Sequence, residues 1–149
     1  VTAPNYNDDV VLYDHIKAVI DVLDLNLPFP IGDWERPKDV NEKFIPPPYA
    51  LVRLFPSTGQ FEGDLTHFQK DIILRIQIMA AGLVQLQCLD IQDLTRQQMY
   101  RDNLTIPGRY IQSLKMMITS GGISRDDDLP TPLLFSYDVY ELRTTPLTV

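Results

Sequence analysis

Two strand-like runs flanking a polar connector in the last quarter of the chain constrain the fold more than any other feature. Along Tyr110–Thr119, Leu114, Met116 and Ile118 alternate with Ser113, Lys115 and Thr119, the two-residue period of a strand. The second run, Leu133–Pro146, is rich in β-branched and aromatic residues, with Phe135, Tyr137 and Val139 on one side and Ser136 and Asp138 on the other. Strands joined in sequence by a Gly- and Pro-bearing segment fold back most simply as an antiparallel pair. The connector, Ser120–Pro132, is too long for a tight hairpin and too charged to be buried. It is expected to project from a sheet edge, where binding residues are often carried.

Upstream, Asn7, Asp8 and Asp9 supply a cap and negative charge for a helix over 10–25. Leu12, Ile16, Val19, Ile20 and Leu23 make its apolar stripe, and His15 and Lys17 lie off it, which predicts a solvated histidine. Residues 26–48 hold six of the twelve prolines and one short helical candidate, 39–44. Proline removes donors and blocks helix continuation, so this stretch reads as an arm. Its Trp34 and Phe29 either staple the arm to the domain or meet a partner.

Tyr49–Phe55 is a strand, followed by turn chemistry over 56–64. The cleanest alternation in the chain is Asp71–Met79, with Ile72, Leu74, Ile76 and Ile78 inward and Arg75 and Gln77 outward. Residues 83–103 read as a second helix. Leu83, Val84, Cys88, Ile91, Leu94 and Met99 share one face, whereas Leu86 and Leu89 fall on the opposite, Gln- and Asp-rich face. Those two leucines imply a cover, either the arm or a neighbouring subunit. Ile106-Pro-Gly108 terminates the helix. The order of elements predicts one α+β domain over 1–149: a small, mainly antiparallel four-stranded sheet packed against two helices.

A chain of 149 residues suits one domain, burying roughly two-thirds of its unfolded surface. Its formal net charge is −7, and the 13 lysines and arginines are scattered along the sequence, which argues against a protein that grips phosphates through a basic face. One cysteine, Cys88, excludes an intrachain disulfide and reads as a buried structural thiol. No apolar run approaches the ~20 residues of a membrane span.

Signals for chemistry are sparse. His15 and His67 lie on different elements, and the GxSxG, HExxH, CxxC and Walker patterns are missing from the sequence. Asp126, Asp127 and Asp128 lack the alternate ligand spacing of a calcium loop, so neither a metal site nor a catalytic set is expected, and no cofactor. A small metal-dependent enzyme built on these aspartates is the remote alternative.

Several segments in order resemble the tail terminator proteins of long-tailed bacteriophages, also called tail-completion or minor tail proteins. They are Pro48-Tyr-Ala-Leu-Val, Gly59-Gln-Phe-Glu-Gly, the strand–helix unit, Ile106-Pro-Gly-Arg109, Gly122-Ile-Ser-Arg-Asp-Asp-Asp128, Leu134-Phe-Ser-Tyr-Asp and Thr144-Thr-Pro146. The likeness runs from about 49 to 146. Where the family pattern has Ser or Thr followed by Arg after the glycine, Gly82 here is followed by Leu83-Val-Gln85, which leaves the second helix without a side-chain cap. The resemblance implies a virion protein, assembled in the host cytoplasm, that forms a hexameric ring of itself on the head-proximal end of the tail. Such a ring ends polymerisation of the tail tube protein and joins the head-completion or neck protein, and DNA passes through it without sequence-specific binding. A head–tail connector or tube subunit is the nearer alternative, because one fold class serves all of them.

On this reading the subunit or neck interface draws on Gly121, Gly122, Arg125, Asp126, Asp127 and Asp128 in the connector, on Leu86 and Leu89, and on Trp34 in the arm. The glycines loosen one side of the connector, and Pro130 and Pro132 stiffen the other. Arg125 can either bind a carboxylate across an interface or pair with its own neighbours.

Overall fold

Alternating apolar residues in the middle of the chain set the sheet, and everything else is placed by it. In the computed structural model, which describes residues 11–56, 72–101, 104–119, 122–128 and 132–147, β3 (Ile72–Gly82) buries Ile72, Leu74, Ile76, Ile78 and Ala80 and turns Arg75 and Gln77 the other way. It is flanked by β2 (Tyr49–Pro56) and β6 (Leu133–Pro146), both antiparallel to it. β4 (Arg109–Thr119) pairs antiparallel with the far side of β6, and β1 (Ile31–Asp33) pairs parallel with β2. The order is β1-β2-β3-β6-β4, with β5 (Ser124–Asp126) also on β6. Helices α1 (Val11–Asn26) and α2 (Gln85–Tyr100) pack on one face, α1 against β1 and β2, α2 against β3 and β6. This is the expected α+β architecture, with six strands where four were expected. The two additions are three residues each and sit in the arm and the connector, too short to show a period.

The core between the layers holds Val19 and Leu23 of α1, Ile91 and Met99 of α2, and Val52, Ile76, Ile78, Tyr140 and Leu142 of the sheet. Each such side chain contributes roughly 1.5–3 kcal/mol by leaving water. Ile106-Pro107-Gly108-Arg109 forms a turn that leads into β4. Arg109 N–H donates to the Ile106 carbonyl at 3.1 Å, and Gly108 takes a φ of +68°, which glycine adopts without steric cost.

Several expectations are revised. His15 is fully buried: it lies three or four positions from Leu12, Val19 and Ala18 and so belongs to the apolar stripe. Residues 39–44 are not helical. The Asp39 carboxylate accepts the N–H groups of Asn41 and Lys43 at 2.8 and 3.0 Å, closing a small loop between bridged Lys38 and Phe44. Leu83 and Val84 precede α2 and are exposed. The proposed cap at Asn7–Asp9, the turn at 57–64 and His67 lie outside the described residues.

Candidate functional site

Three described residues of the connector, those of β5, lie on the strand edge that β4 also uses. Thr119 faces Asp138 and Ser124 faces Phe135, so β5 lies further along the same edge of β6. Two register shifts, between Ile111 and Ser113 and between Met116 and Ile118, bend the same edge. Within the connector, Arg125 Nε donates to Asp127 Oδ1 at 2.5 Å, both side chains well exposed, and Asp128 N–H donates to Asp126 Oδ1 at 3.1 Å. These contacts make a local turn and do not converge the three carboxylates. Among the described residues no group of three or more His, Cys, Asp or Glu side chains is placed to share an ion. Gly122 is exposed and has an ordinary negative-side φ, so its backbone does not require glycine; Gly121 lies outside the described residues.

Arg125 also lines an open cavity with Pro132, Leu134 and Leu83, bringing the connector beside the start of α2. Val84 sits at the N-cap of that helix and no side chain caps it, as its sequence implied. Gln87 Oε1 accepts the Leu83 N–H at 2.8 Å instead. Leu86 and Leu89 are 66% and 43% exposed. The arm therefore does not cover them. It crosses to the other face of the sheet, where Leu51 meets it at Gly32 and Arg36 lies over the Tyr49 ring.

Trp34 is on that other side, away from Leu86 and Arg125. Its N–H donates to the Val52 carbonyl at 2.9 Å, and Glu35 N–H donates to the Asp33 carbonyl at 2.6 Å. The resulting three-residue turn holds Trp34 at a φ of +64°, rare for a bulky residue and costing of order 1–3 kcal/mol. The ring leans on Phe55 at 5.7 Å and under Arg53 at 5.3 Å, yet Trp34 stays 56% exposed. It both staples the arm and presents a surface.

Sequence reasoning missed two polar clusters on the helix-covered face. Arg96 of α2 reaches down with Nε and Nη2 to both Asp138 oxygens at 2.8 and 2.9 Å and to Thr119 Oγ1 at 3.1 Å. The hydrogen bond to Asp138 raises the pKa of the guanidinium still further. His15 Nε2 lies 2.7 Å from Thr144 Oγ1, which also accepts from Arg109 Nε at 3.2 Å. Ser136, Asp138 and Thr144 thus face the helices, and the alternating polar positions of β6 were the available signal. Cys88 is buried and donates to the Leu134 carbonyl at 3.4 Å, and burial pushes its thiol pKa up.

A second gathering concerns charge. Arg53, Arg75, Lys115 and Arg143, far apart in sequence, all project from the face of the sheet opposite the helices, since each alternates with a core residue. Glu141 is flanked by Arg75 and Lys115 in the ladder. The expectation of scattered cations fails because a sheet sums positions that sequence keeps apart.

These surfaces all lie on a two-layer α+β domain. No family model matches the chain, and no curated protein matches it. Among solved structures it is similar to the bacteriophage SPP1 gp17 protein, at 18% identity over 90% of this chain and 91% of that one, with a TM-score of 0.47. A likeness so distant does not bear on function.

Proposed function

We propose that this protein is a structural subunit of a bacteriophage tail, a terminator that assembles as a ring, of about six copies, at the head-proximal end of the tail tube. There it would end tube polymerisation and offer the surface that joins the neck. The sequence resemblance over 49–146 supports the class. The observation that carries the assembly reading is the apolar group Leu83, Val84, Leu86 and Leu89, all exposed on a domain whose two helices already close its core. Contiguous apolar surface of this kind marks a contact with another macromolecule. On this reading the connector serves assembly, its Asp126 and Asp127 carboxylates making turn contacts within it.

Light scattering of the purified protein with negative-stain images, alone and bound to tail tubes, tests the reading. One closed species of fixed size near six copies is expected. Open-ended polymers would make it a tube subunit, and a protein that stays monomeric even in assembled tails would remove the ring altogether.

A further inference from the structure

Beyond the arm, no described element covers the sheet face that carries Arg53, Arg75, Lys115 and Arg143. The outward line of α2 is the reverse: Leu86, Leu89, Asp90, Asp93, Gln97 and Tyr100 are all exposed and include no cation, with the exposed Arg101 only at the C-cap. At 3.6 residues per turn these positions form one stripe about 21 Å long. In the same helix layer Asp24 of α1 is exposed, whereas Asp21 is paired with Lys17 at 2.7 Å. Each of the two surfaces couples apolar groups with one dominant sign of charge. On the sheet these groups are the half-buried Met79, Tyr137 and Val139, and on the helix they are Leu86, Leu89 and Tyr100.

We infer that the cationic face of the sheet docks the acidic outer stripe of α2 from a second copy of this chain. Charge selects this occupant. Sheet face against sheet face would oppose Arg75 and Lys115 to their own copies, and α2 against α2 would oppose Asp90 and Asp93. Only the helix-to-sheet contact is complementary, and complementary potentials fix both partner and register. The contact is head-to-tail, the kind that generates a closed ring or an open filament. The inference rests on the ring reading and names which surfaces make the ring.

Charge reversal tests it. Arg75, Lys115, Asp90 and Asp93 are exposed and lie outside the core, so reversed proteins should fold, as circular dichroism would confirm. Sedimentation velocity over a concentration series should show wild-type association weakened by salt. Arg75→Glu with Lys115→Glu, and separately Asp90→Lys with Asp93→Lys, should each weaken it by about tenfold or more. Mixing the two reversed proteins in equal amounts should restore assembly, because the reversed sheet of one then matches the reversed helix of the other. If the reversed proteins still form the wild-type ring, or if mixing restores nothing, the inference falls while the ring reading stands. Wild type that is monomeric in solution and on tubes removes both. If the first variant instead loses retention of duplex DNA with its ring intact, the face is a phosphate surface and the inference is overturned.

Discussion

On the helix-covered face of the sheet Asp138 is 1% exposed, paired across the ladder with Ile78, whereas its neighbour Val139 stays half-buried on the face it shares with Arg143 and Glu141. The polar residue is inside and the apolar one is at the surface. Polarity therefore did not decide the direction of β6. Its register with β3 did, by aligning Tyr140 with Ile76 and Leu142 with Leu74, and α2 then supplied Arg96 to meet the carboxylate that this register buries. A buried charge is tolerated when paired and hydrogen-bonded. On the other face Arg75 and Lys115 are exposed and flank Glu141, so their charges keep contact with water.

The contrast can be broken most forcefully at Arg96. Arg96→Ala leaves Asp138 buried without its cation, and urea unfolding at fixed protein concentration should show a loss of about 2–4 kcal/mol, discounted for the partial exposure of the guanidinium. A loss within experimental error would mean that the carboxylate is hydrated and that the two faces differ little.

Next in size is Gly32→Ala. A Cβ there would meet the Glu35 carbonyl and lie 2.6 Å from Leu51 Cδ2, so the arm must lift from β2. A loss of about 1–3 kcal/mol is expected, together with increased protease cleavage within 33–48. Unchanged cleavage would show that the arm finds another seat.

Tyr140→Phe is smaller and has the opposite sign. The phenol oxygen is buried without a hydrogen-bond partner, and burial pushes its pKa well above the ordinary value. Removing the hydroxyl should stabilise the protein by up to about 1 kcal/mol at neutral pH. Because the folded pKa is raised, the unfolded chain alone releases this proton above about pH 10. Wild-type stability is thus full below that pH and falls as pH rises past it, and the variant should lack this part of the alkaline loss. Equal pH profiles would place a hydrogen-bonding water on Tyr140. Smallest of all, Arg75→Ala on the open face should change unfolding of the dissociated protein by no more than about 0.5 kcal/mol.

How much of this was legible follows from which signals are local. The alternation of Ile72, Leu74, Ile76 and Ile78 and the spacing of Leu12, Val19 and Leu23 are properties of single elements, so sheet, helices and their class could be read directly. The candidate surface was legible in parts. Leu86 and Leu89 declared themselves by standing on the wrong side of their helix, and they are indeed exposed. The cationic face was not legible, because it sums β2, β3, β4 and β6, and the ladder that aligns Arg75, Glu141 and Lys115 is set by pairing that no single strand encodes. The burial of His15 was hidden for a related reason: its partner Thr144, which also accepts from Arg109, lies more than a hundred residues away. For Arg125 the sequence leaves two readings open, a carboxylate across an interface or its own neighbours, and in the structure it meets Asp127.

The position of Trp34 has a practical consequence for spectroscopy. It is the single tryptophan of the chain, and it sits on the arm, half in solvent and under the Arg53 guanidinium. Its emission therefore watches the strap across the outer face of the sheet and is blind to the layer between sheet and helices. Denaturation followed by fluorescence and by far-ultraviolet ellipticity would read two different parts of the molecule. A gap between the two midpoints would time the release of the arm against the loss of the sheet, with no label attached.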